Sequence, residues 1–125
     1  MNAHILIVDD SSFARRSLRQ ILEQAGYTVD EAQDGNEALE RYFLKKPDVV
    51  LLDLVMEGLS GLEVLAKLRE LDREVKAVMA TADIQSSTRA EAQAAGASGF
   101  ISKPFNRDQV LTTVDAVLAG GLSWS

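Results

Sequence analysis

The chain has no cysteine, only two prolines and a single histidine among its 125 residues. Disulfides and thiolate metal sites are therefore excluded, and one imidazole cannot form a histidine metal site by itself. Positive charge is also scarce, because 13 Lys and Arg against 19 Asp and Glu give a formal net charge of −6. Direct binding to nucleic acid or to an anionic membrane needs a basic face, so this composition argues against both.

Long apolar runs are missing as well. The longest runs are too short to cross a bilayer, and the N-terminus lacks the basic region and apolar core of a signal peptide. The length suits one domain, and 46% hydrophobic with 26% charged residues is typical of a globular protein. We therefore expect a soluble cytoplasmic protein, with one domain over residues 1–121 and a tail over residues 122–125.

The most informative segment is residues 47–56, in which Val49-Val50-Leu51-Leu52 leads directly into Asp53. A continuous apolar run after a proline is typical of a strand buried on both faces, and such strands belong to parallel sheets covered by helices. A carboxylate at the end of such a strand is costly unless another charge compensates it. Residues 5–8 show the same pattern, followed by Asp9 and Asp10.

Strand and helix patterns alternate five times. Strands are predicted at residues 5–8, 27–31, 49–52, 75–80 and 99–102, the second near a sheet edge because it is the least apolar. Helices are expected to begin at Ser11 or Ser12, after a turn at Asp34-Gly35-Asn36, at a Ser60/Glu63 capping box, at Thr88 with Glu91, and at Asn106 with Gln109. This pattern predicts an α/β fold with a doubly wound five-stranded parallel sheet and helices on both faces.

The helices are expected to bury apolar residues that recur every three or four positions. In the second and third helices this set includes Phe43 and Leu71, and in the first helix Arg15 and Arg19 are expected to point outward. The fourth helix carries mainly alanine on its apolar positions, so we expect it to be the most mobile.

The functional sites of such folds lie beyond the carboxyl ends of the strands, near the point where strand order reverses. Four of the five predicted strands end in a polar or charged residue, and parallel strands bring these ends to one edge. We therefore expect one cleft to contain Asp9, Asp10, Asp53, Thr81 and Lys103.

Three close carboxylates repel one another, and one lysine cannot balance them. Mg²⁺ prefers oxygen ligands and completes its shell with water and phosphate oxygens, so it suits such a cleft. Aspartate can also act as a nucleophile and form an aspartyl-phosphate, while a cation and a hydroxyl can stabilise the phosphoryl oxygens. The sequence therefore favours Mg²⁺-dependent phosphoryl chemistry.

The chain resembles the receiver domains of bacterial two-component response regulators, and in size the stand-alone CheY-like regulators. The resemblance covers about the whole chain and implies a flavodoxin-like (βα)5 fold with strand order 2-1-3-4-5. It rests on Val8-Asp9-Asp10, Leu52-Asp53 with Met56 and Gly61, Ala80-Thr81-Ala82, and Lys103-Pro104-Phe105.

The resemblance implies a role for each site residue. Asp53 is the expected phosphoacceptor. Asp9, Asp10, Asp53 and the backbone carbonyl of Val55 are the expected Mg²⁺ ligands. Thr81 and Lys103 are expected to contact the phosphoryl oxygens and so to complete the catalytic set with Asp53.

The resemblance also implies a switch. Phosphorylation would draw Thr81 toward the phosphoryl group, and the ring of Phe100 would turn inward into the vacated space. A cis peptide bond is expected between Lys103 and Pro104.

A sensor histidine kinase or a phosphotransfer protein is implied as the phosphoryl donor. A downstream protein is expected on the face formed by the fourth helix, fifth strand and fifth helix, with neither direct nucleic-acid binding nor membrane insertion. The chain would be a signalling phosphoacceptor that catalyses its own phosphorylation and dephosphorylation, not an enzyme. An intermediate of a multi-step phosphorelay and a phosphorylation-independent binding module are the alternatives.

The chain departs from the family pattern in the loop after the third strand. Glu57 stands where the family usually has proline, and Val55 and Asp83 occupy positions that influence how long the phosphoryl group persists.

Two rival functions fit the sequence less well. A flavodoxin-like electron carrier would need a hydroxyl- and glycine-rich loop in place of Asp9 and Asp10. A phosphatase with an aspartate nucleophile would need a second acid at Val55, which cannot transfer protons.

Overall fold

The structure, a computed structural model, describes residues 3–82 and 85–123. Asp83 and the last two residues of the predicted tail, Trp124 and Ser125, lie outside the described residues. Strands and helices alternate throughout, in the order β1 His4–Val8, α1 Ser12–Gln24, β2 Thr28–Ala32, α2 Gly35–Lys45, β3 Val49–Asp53, α3 Gly61–Leu71, β4 Ala77–Thr81, α4 Ser86–Ala94, β5 Gly99–Ser102 and α5 Arg107–Leu118.

All five strands are parallel and lie in the order β2-β1-β3-β4-β5. The predicted fold class and strand order are confirmed, and β2 lies at an edge as its lower hydrophobicity indicated. The chain moves from β1 to one side and returns to the other side with β3, so strand order reverses between these two strands. A crevice at the carboxyl ends of β1 and β3 follows from that reversal.

The sheet separates two hydrophobic cores. Alternate residues of each strand point to opposite faces, so neighbours such as Leu51 and Leu52 belong to different cores. Helices α1 and α5 cover one face, while α2, α3 and α4 cover the other. All five residues of β3 are buried, which explains why its sequence shows no alternation of polar and apolar residues.

Three of the predicted helix starts are confirmed. Ser11 and Asn106 cap α1 and α5, and Ser60 forms a capping box with Glu63 at the start of α3. Two predictions were wrong in detail. Asp34 accepts a hydrogen bond from the Glu37 amide and caps α2, so residues 34–36 begin a helix rather than a separate turn.

The fourth helix begins at Ser86, so Thr88 lies inside it rather than at its start. Only Ala92 of this helix is buried. Phe43 and Leu71 are 69% and 61% exposed, contrary to the prediction that they line the core. Phe43 is one residue beyond the buried Tyr42, and one residue rotates a side chain by about 100° around a helix axis.

After α5 the described chain turns back to the sheet. The Ser123 amide donates to the Ser98 carbonyl, and the Phe100 amide donates to the Ser123 carbonyl. Ser123 thus forms an isolated parallel bridge with Gly99 at the outer edge of β5. No helix among the described residues is both long and apolar enough to cross a membrane.

Candidate functional site

Strand register brings the predicted site residues together. Val8 pairs with Leu52, so the residues that follow them, Asp9 and Asp53, lie side by side at the end of β1 and β3. Asp53 pairs with Ala80, one residue before Thr81. Thr81 in turn pairs with Ser102, one residue before Lys103. Residues far apart in sequence therefore meet at the carboxyl edge of the sheet.

The three carboxylates form a compact cluster. One oxygen each from Asp9, Asp10 and Asp53 lies within 4.8 Å of the others. Asp9 and Asp53 are buried, whereas Asp10 is exposed. An all-oxygen set of this kind, with one open side, fits a hard divalent cation such as Mg²⁺ better than a soft metal.

Lys103 lies between the two buried acids. Its Nζ atom is 2.8 Å from Oδ2 of Asp9 and 3.3 Å from Oδ2 of Asp53. Burial would lower the pKa of Lys103, but the two carboxylates outweigh burial and raise it. The lysine is therefore charged and partly compensates the acids. The peptide bond between Lys103 and Pro104 is cis.

One lysine does not fully stabilise the Asp53 carboxylate. Burial and the negative charge of Asp9 raise the pKa of Asp53 to about 6, even though Lys103 and the Val55 amide oppose the rise. Burial, the largest cause, together with Asp9 thus destabilises the ionised carboxylate more than Lys103 and the Val55 amide stabilise it. A divalent cation would offset this cost.

A cavity of about 340 Å³ adjoins the acid cluster. Its lining contains the three residues expected to carry the chemistry, Asp53, Thr81 and Lys103, together with Val55 and Ala82. A carboxylate, a hydroxyl and an ammonium thus face one space that can receive a small anionic group.

Gly61 is required by close packing against β3. A Cβ atom at this position would lie 2.3 Å from the Asp53 carbonyl oxygen and 2.8 Å from the Leu54 Cα atom. No real Cβ makes such contacts, so α3 can approach the end of β3 only with glycine here. The Gly61 amide also donates to the Leu54 carbonyl at 2.9 Å. Gly61 therefore helps to fix the backbone that carries Asp53.

The departure at Glu57 has a structural consequence. The Glu57 amide lies 3.4 Å from Oδ2 of Asp10 and donates a long hydrogen bond to it. Proline has no N–H group, so the residue that the family usually has here could not make this contact. The substitution thus links the loop after β3 to the exposed acid. Only the fold reveals this link, because it depends on a backbone group.

Phe100 is only 3% exposed and belongs to the core cluster that also contains Met79 and Ala92. The guanidinium of Arg89 lies 5.4 Å from the ring centroid. Strand alternation puts Thr81 on the same face as Met79, whose register partner is Phe100. Thr81 and Phe100 thus share one side of the sheet, and the ring is already buried in this structure.

A feature that the sequence did not reveal lies beside Lys103. A cavity of about 680 Å³ is lined by apolar side chains of α1 and of the segment after β5, among them Phe13, Pro104 and Phe105, and by Lys103 itself. Phe13 is 77% exposed. The signal in the sequence was Phe13 itself, an apolar residue of α1 that does not belong to the set of residues this helix buries.

Comparison with known proteins gives consistent results. A sequence model of the family described as "Response regulator receiver domain" matches residues 5–115. Chemotaxis protein CheY of Halobacterium salinarum is 39% identical over 118 residues, which cover 94% of this chain and 98% of that protein. Response regulator MprA of Mycolicibacterium vanbaalenii is 40% identical, but the match covers only 51% of its length.

Solved structures agree with this result. The chemotaxis protein CheY4 of Vibrio cholerae superposes with a TM-score of 0.87 at 32% identity, over 92% of this chain and 98% of that one. A two-component response regulator of the LuxR family from Aurantimonas gives a TM-score of 0.93 at 32% identity, over 98% of this chain and 89% of that one.

Proposed function

The chain belongs to the response regulator receiver family, whose members are phosphorylation-dependent signalling switches, and on this premise we propose that Asp53 is its phosphoacceptor. The proposal is carried by one observation above all. Asp53 is the acid that combines burial, a raised pKa, the neighbouring acids Asp9 and Asp10, and contact with Lys103.

In the proposed reaction a carboxylate oxygen of Asp53 attacks the phosphorus of a phosphohistidine on a sensor kinase or phosphotransfer protein. A P–O bond forms to Asp53, and the P–N bond breaks with its electron pair left on the imidazole nitrogen. Lys103, which now spans Asp9 and Asp53, would turn its ammonium to a phosphoryl oxygen. The Thr81 hydroxyl, which lines the same cavity, would donate to another.

Asp9, Asp10 and Asp53, with the backbone carbonyl of Val55, would hold the Mg²⁺ ion that the family uses. When bound, Mg²⁺ neutralises charge on the carboxylates and on the phosphoryl oxygens. The raised pKa of Asp53 supports this assignment, because burial and the charge of Asp9 destabilise its carboxylate more than Lys103 stabilises it, and a cation would offset that cost. Hydrolysis would return the site to its starting state when water attacks the same phosphorus and the P–O bond to Asp53 breaks.

The output is proposed to pass through the face of α4, β5 and α5 to a downstream protein. Thr81 and Phe100 lie on one side of the sheet, so a shift of the Thr81 hydroxyl toward a phosphoryl group would change the space around the ring. Because Phe100 is already buried, we expect a change of rotamer and of the position of Arg89 rather than a change from exposed to buried.

Incubation with acetyl phosphate and Mg²⁺, followed by intact-mass measurement, tests the phosphoacceptor. We expect one phosphoryl group on the unaltered chain, none on Asp53→Asn, and normal labelling of Asp108→Asn, which removes an exposed acid of α5. Labelling that persists in Asp53→Asn would disprove the assignment. For the switch, a structure with beryllofluoride at Asp53 should show a new Phe100 rotamer, and an unchanged rotamer would refute that step.

A further inference from the structure

We propose that Arg15 is a positioning residue for the acid pair Asp9 and Asp10, which it holds through the Asp9 backbone carbonyl, with Glu31 fixing the arginine in turn. The proposal deepens the proposed function and rests on it, because it concerns the cation site that these acids would form. It assigns a role to a charged cluster on α1 and β2 that the chemistry at Asp53 does not use.

Asp9 is held by four separate contacts. Its amide donates to the Ala32 carbonyl at 3.1 Å, and its Oδ1 atom accepts from the Ser11 amide at 2.9 Å. Its Oδ2 atom accepts from Nζ of Lys103 at 2.8 Å. The fourth contact is to the backbone carbonyl, which accepts a hydrogen bond from Nη1 of Arg15 at 2.5 Å. The first three contacts fix the amide and the carboxylate, and the fourth fixes the carbonyl.

That carbonyl belongs to the peptide group that joins Asp9 to Asp10. Because a peptide group is planar, holding its oxygen also fixes the direction of the Asp10 amide and of the Asp10 Cα atom. Asp10 itself is exposed, and the contact described for its carboxylate is the long one from the Glu57 amide. The position of Asp10 therefore depends mainly on the backbone that Arg15 holds.

Arg15 is well placed to act as a fixed donor. Its Nε atom donates to Oε1 of Glu31 at 2.9 Å, and Oε2 of Glu31 accepts from Nε of Arg19 at 2.6 Å. Burial opposes ionisation of Glu31, but the two arginines outweigh it and lower its pKa. Glu31 is thus a charged bridge between two arginines.

The bridge needs the guanidinium shape. Arg15 uses Nε for Glu31 and Nη1 for the Asp9 carbonyl, two donors at a fixed angle to each other. A lysine has one ammonium on a flexible stem and cannot reproduce this fork. Without this pair of donors, the cation would have to order the Asp9–Asp10 peptide when it binds. The cost of that ordering lowers the affinity for the cation.

The main test compares Arg15→Gln with Arg16→Gln. Both remove one positive charge from adjacent residues of α1, and Arg16 is exposed. Isothermal titration with Mg²⁺ at fixed ionic strength is expected to show about tenfold weaker binding for Arg15→Gln, the low end of the range for residues that orient metal ligands. Arg15→Lys should be weakened similarly.

The sign of the effect separates positioning from charge. Removal of a positive charge near acids strengthens cation binding through the electric field alone, so Arg16→Gln should bind as well as the unaltered chain or better. Weaker binding by Arg15→Gln therefore cannot come from the charge change. A thermal unfolding curve for each variant in EDTA accompanies the titration, so that affinity is compared only between folded chains.

Two further measurements report on the contact itself. The amide resonance of Asp10 in the cation-free chain should shift in Arg15→Gln and stay in place in Arg16→Gln, because the hydrogen bond polarises that peptide group. Glu31→Gln as a single substitution should weaken Mg²⁺ binding. It should weaken binding by less in a chain that already carries Arg15→Gln, since Glu31 acts through the arginine. Arg15→Lys keeps the positive charge and serves as the test if Arg15→Gln fails to fold.

The outcomes distinguish this inference from the function on which it rests. Equal Mg²⁺ affinity of Arg15→Gln and Arg16→Gln, with normal binding by the unaltered chain, would overturn the role of Arg15 and leave the phosphoacceptor assignment intact. Additive effects of Arg15→Gln and Glu31→Gln would also overturn it. If the unaltered chain failed to bind Mg²⁺, both proposals would fall.

Discussion

Replacement of Asp53 by asparagine should stabilise the cation-free protein at neutral pH. The pKa of Asp53 is about 6 in the fold, against its ordinary value of 3.8, because burial and Asp9 disfavour its charged form more than Lys103 favours it. Each unit of difference corresponds to 1.36 kcal/mol. At pH 7 ionised Asp53 therefore costs the fold about 3 kcal/mol, as an order of magnitude.

The pH dependence follows from the same shift. Between pH 3.8 and about 6 the folded chain holds the Asp53 proton more tightly than the unfolded chain does. The stability that this proton contributes is present below pH 3.8 and is lost as the pH rises through about 6. The advantage of Asp53→Asn should thus grow from less than about 1 kcal/mol at pH 4 to about 3 kcal/mol at pH 7.

Urea titration in EDTA at a series of pH values measures this difference directly. Asp108→Asn is the control, since it removes the same charge from an exposed position at the start of α5 and should not gain stability. Mg²⁺ at 1,000 times its Kd should reverse the order, because a ligand of the folded state then contributes about 4.1 kcal/mol to the unaltered chain. Equal stability of Asp53→Asn and the unaltered chain at pH 7 in EDTA would refute the electrostatic reasoning.

Two further predictions concern packing and burial. Gly61→Ala should lower the free energy of unfolding by about 1–3 kcal/mol and slow labelling by acetyl phosphate, because the added methyl group would meet the backbone at the end of β3; an unchanged urea midpoint would contradict the close approach. Burial and hydrogen bonds to carboxylates raise the pKa of both tyrosines, Tyr27 to about 12 and Tyr42 higher still, so the native chain should form little tyrosinate at pH 10–11. Absorbance titration checks this, and half of the tyrosine ionising near pH 10 in the native chain would disprove it.

The sequence by itself determined the fold class and, through family resemblance, the strand order. It also indicated which residues lie together at the carboxyl edge of the sheet. Apolar runs such as Val49 to Leu52 mark buried strands, and polar residues directly after them mark the carboxyl edge of the sheet. Because parallel strands end at the same edge, Asp9, Asp53 and Lys103 could be placed together without coordinates. Local signals such as the Ser60 capping box also carried through to the structure.

The exposure of Phe43 was decided by tertiary packing, whereas the start of α2 follows from a local signal, the Asp34 side chain that caps the Glu37 amide. Helix periodicity tolerates a shift of one residue, and only the position of a helix on the sheet selects the buried side. The charge balance at Asp53 was likewise not readable from residue types. It depends on whether Lys103 reaches one acid or two, and on how deeply each acid is buried.

The contact between Arg15 and the Asp9 carbonyl is the clearest case. The sequence placed Arg15 on the outer face of α1, where an arginine would be solvated by default. The fold brings β2 beside that face, and Glu31 turns the guanidinium toward a backbone oxygen. Every residue carries such an oxygen, so no pattern of side chains distinguishes this one. Only the approach of α1, β1 and β2 in three dimensions selects it.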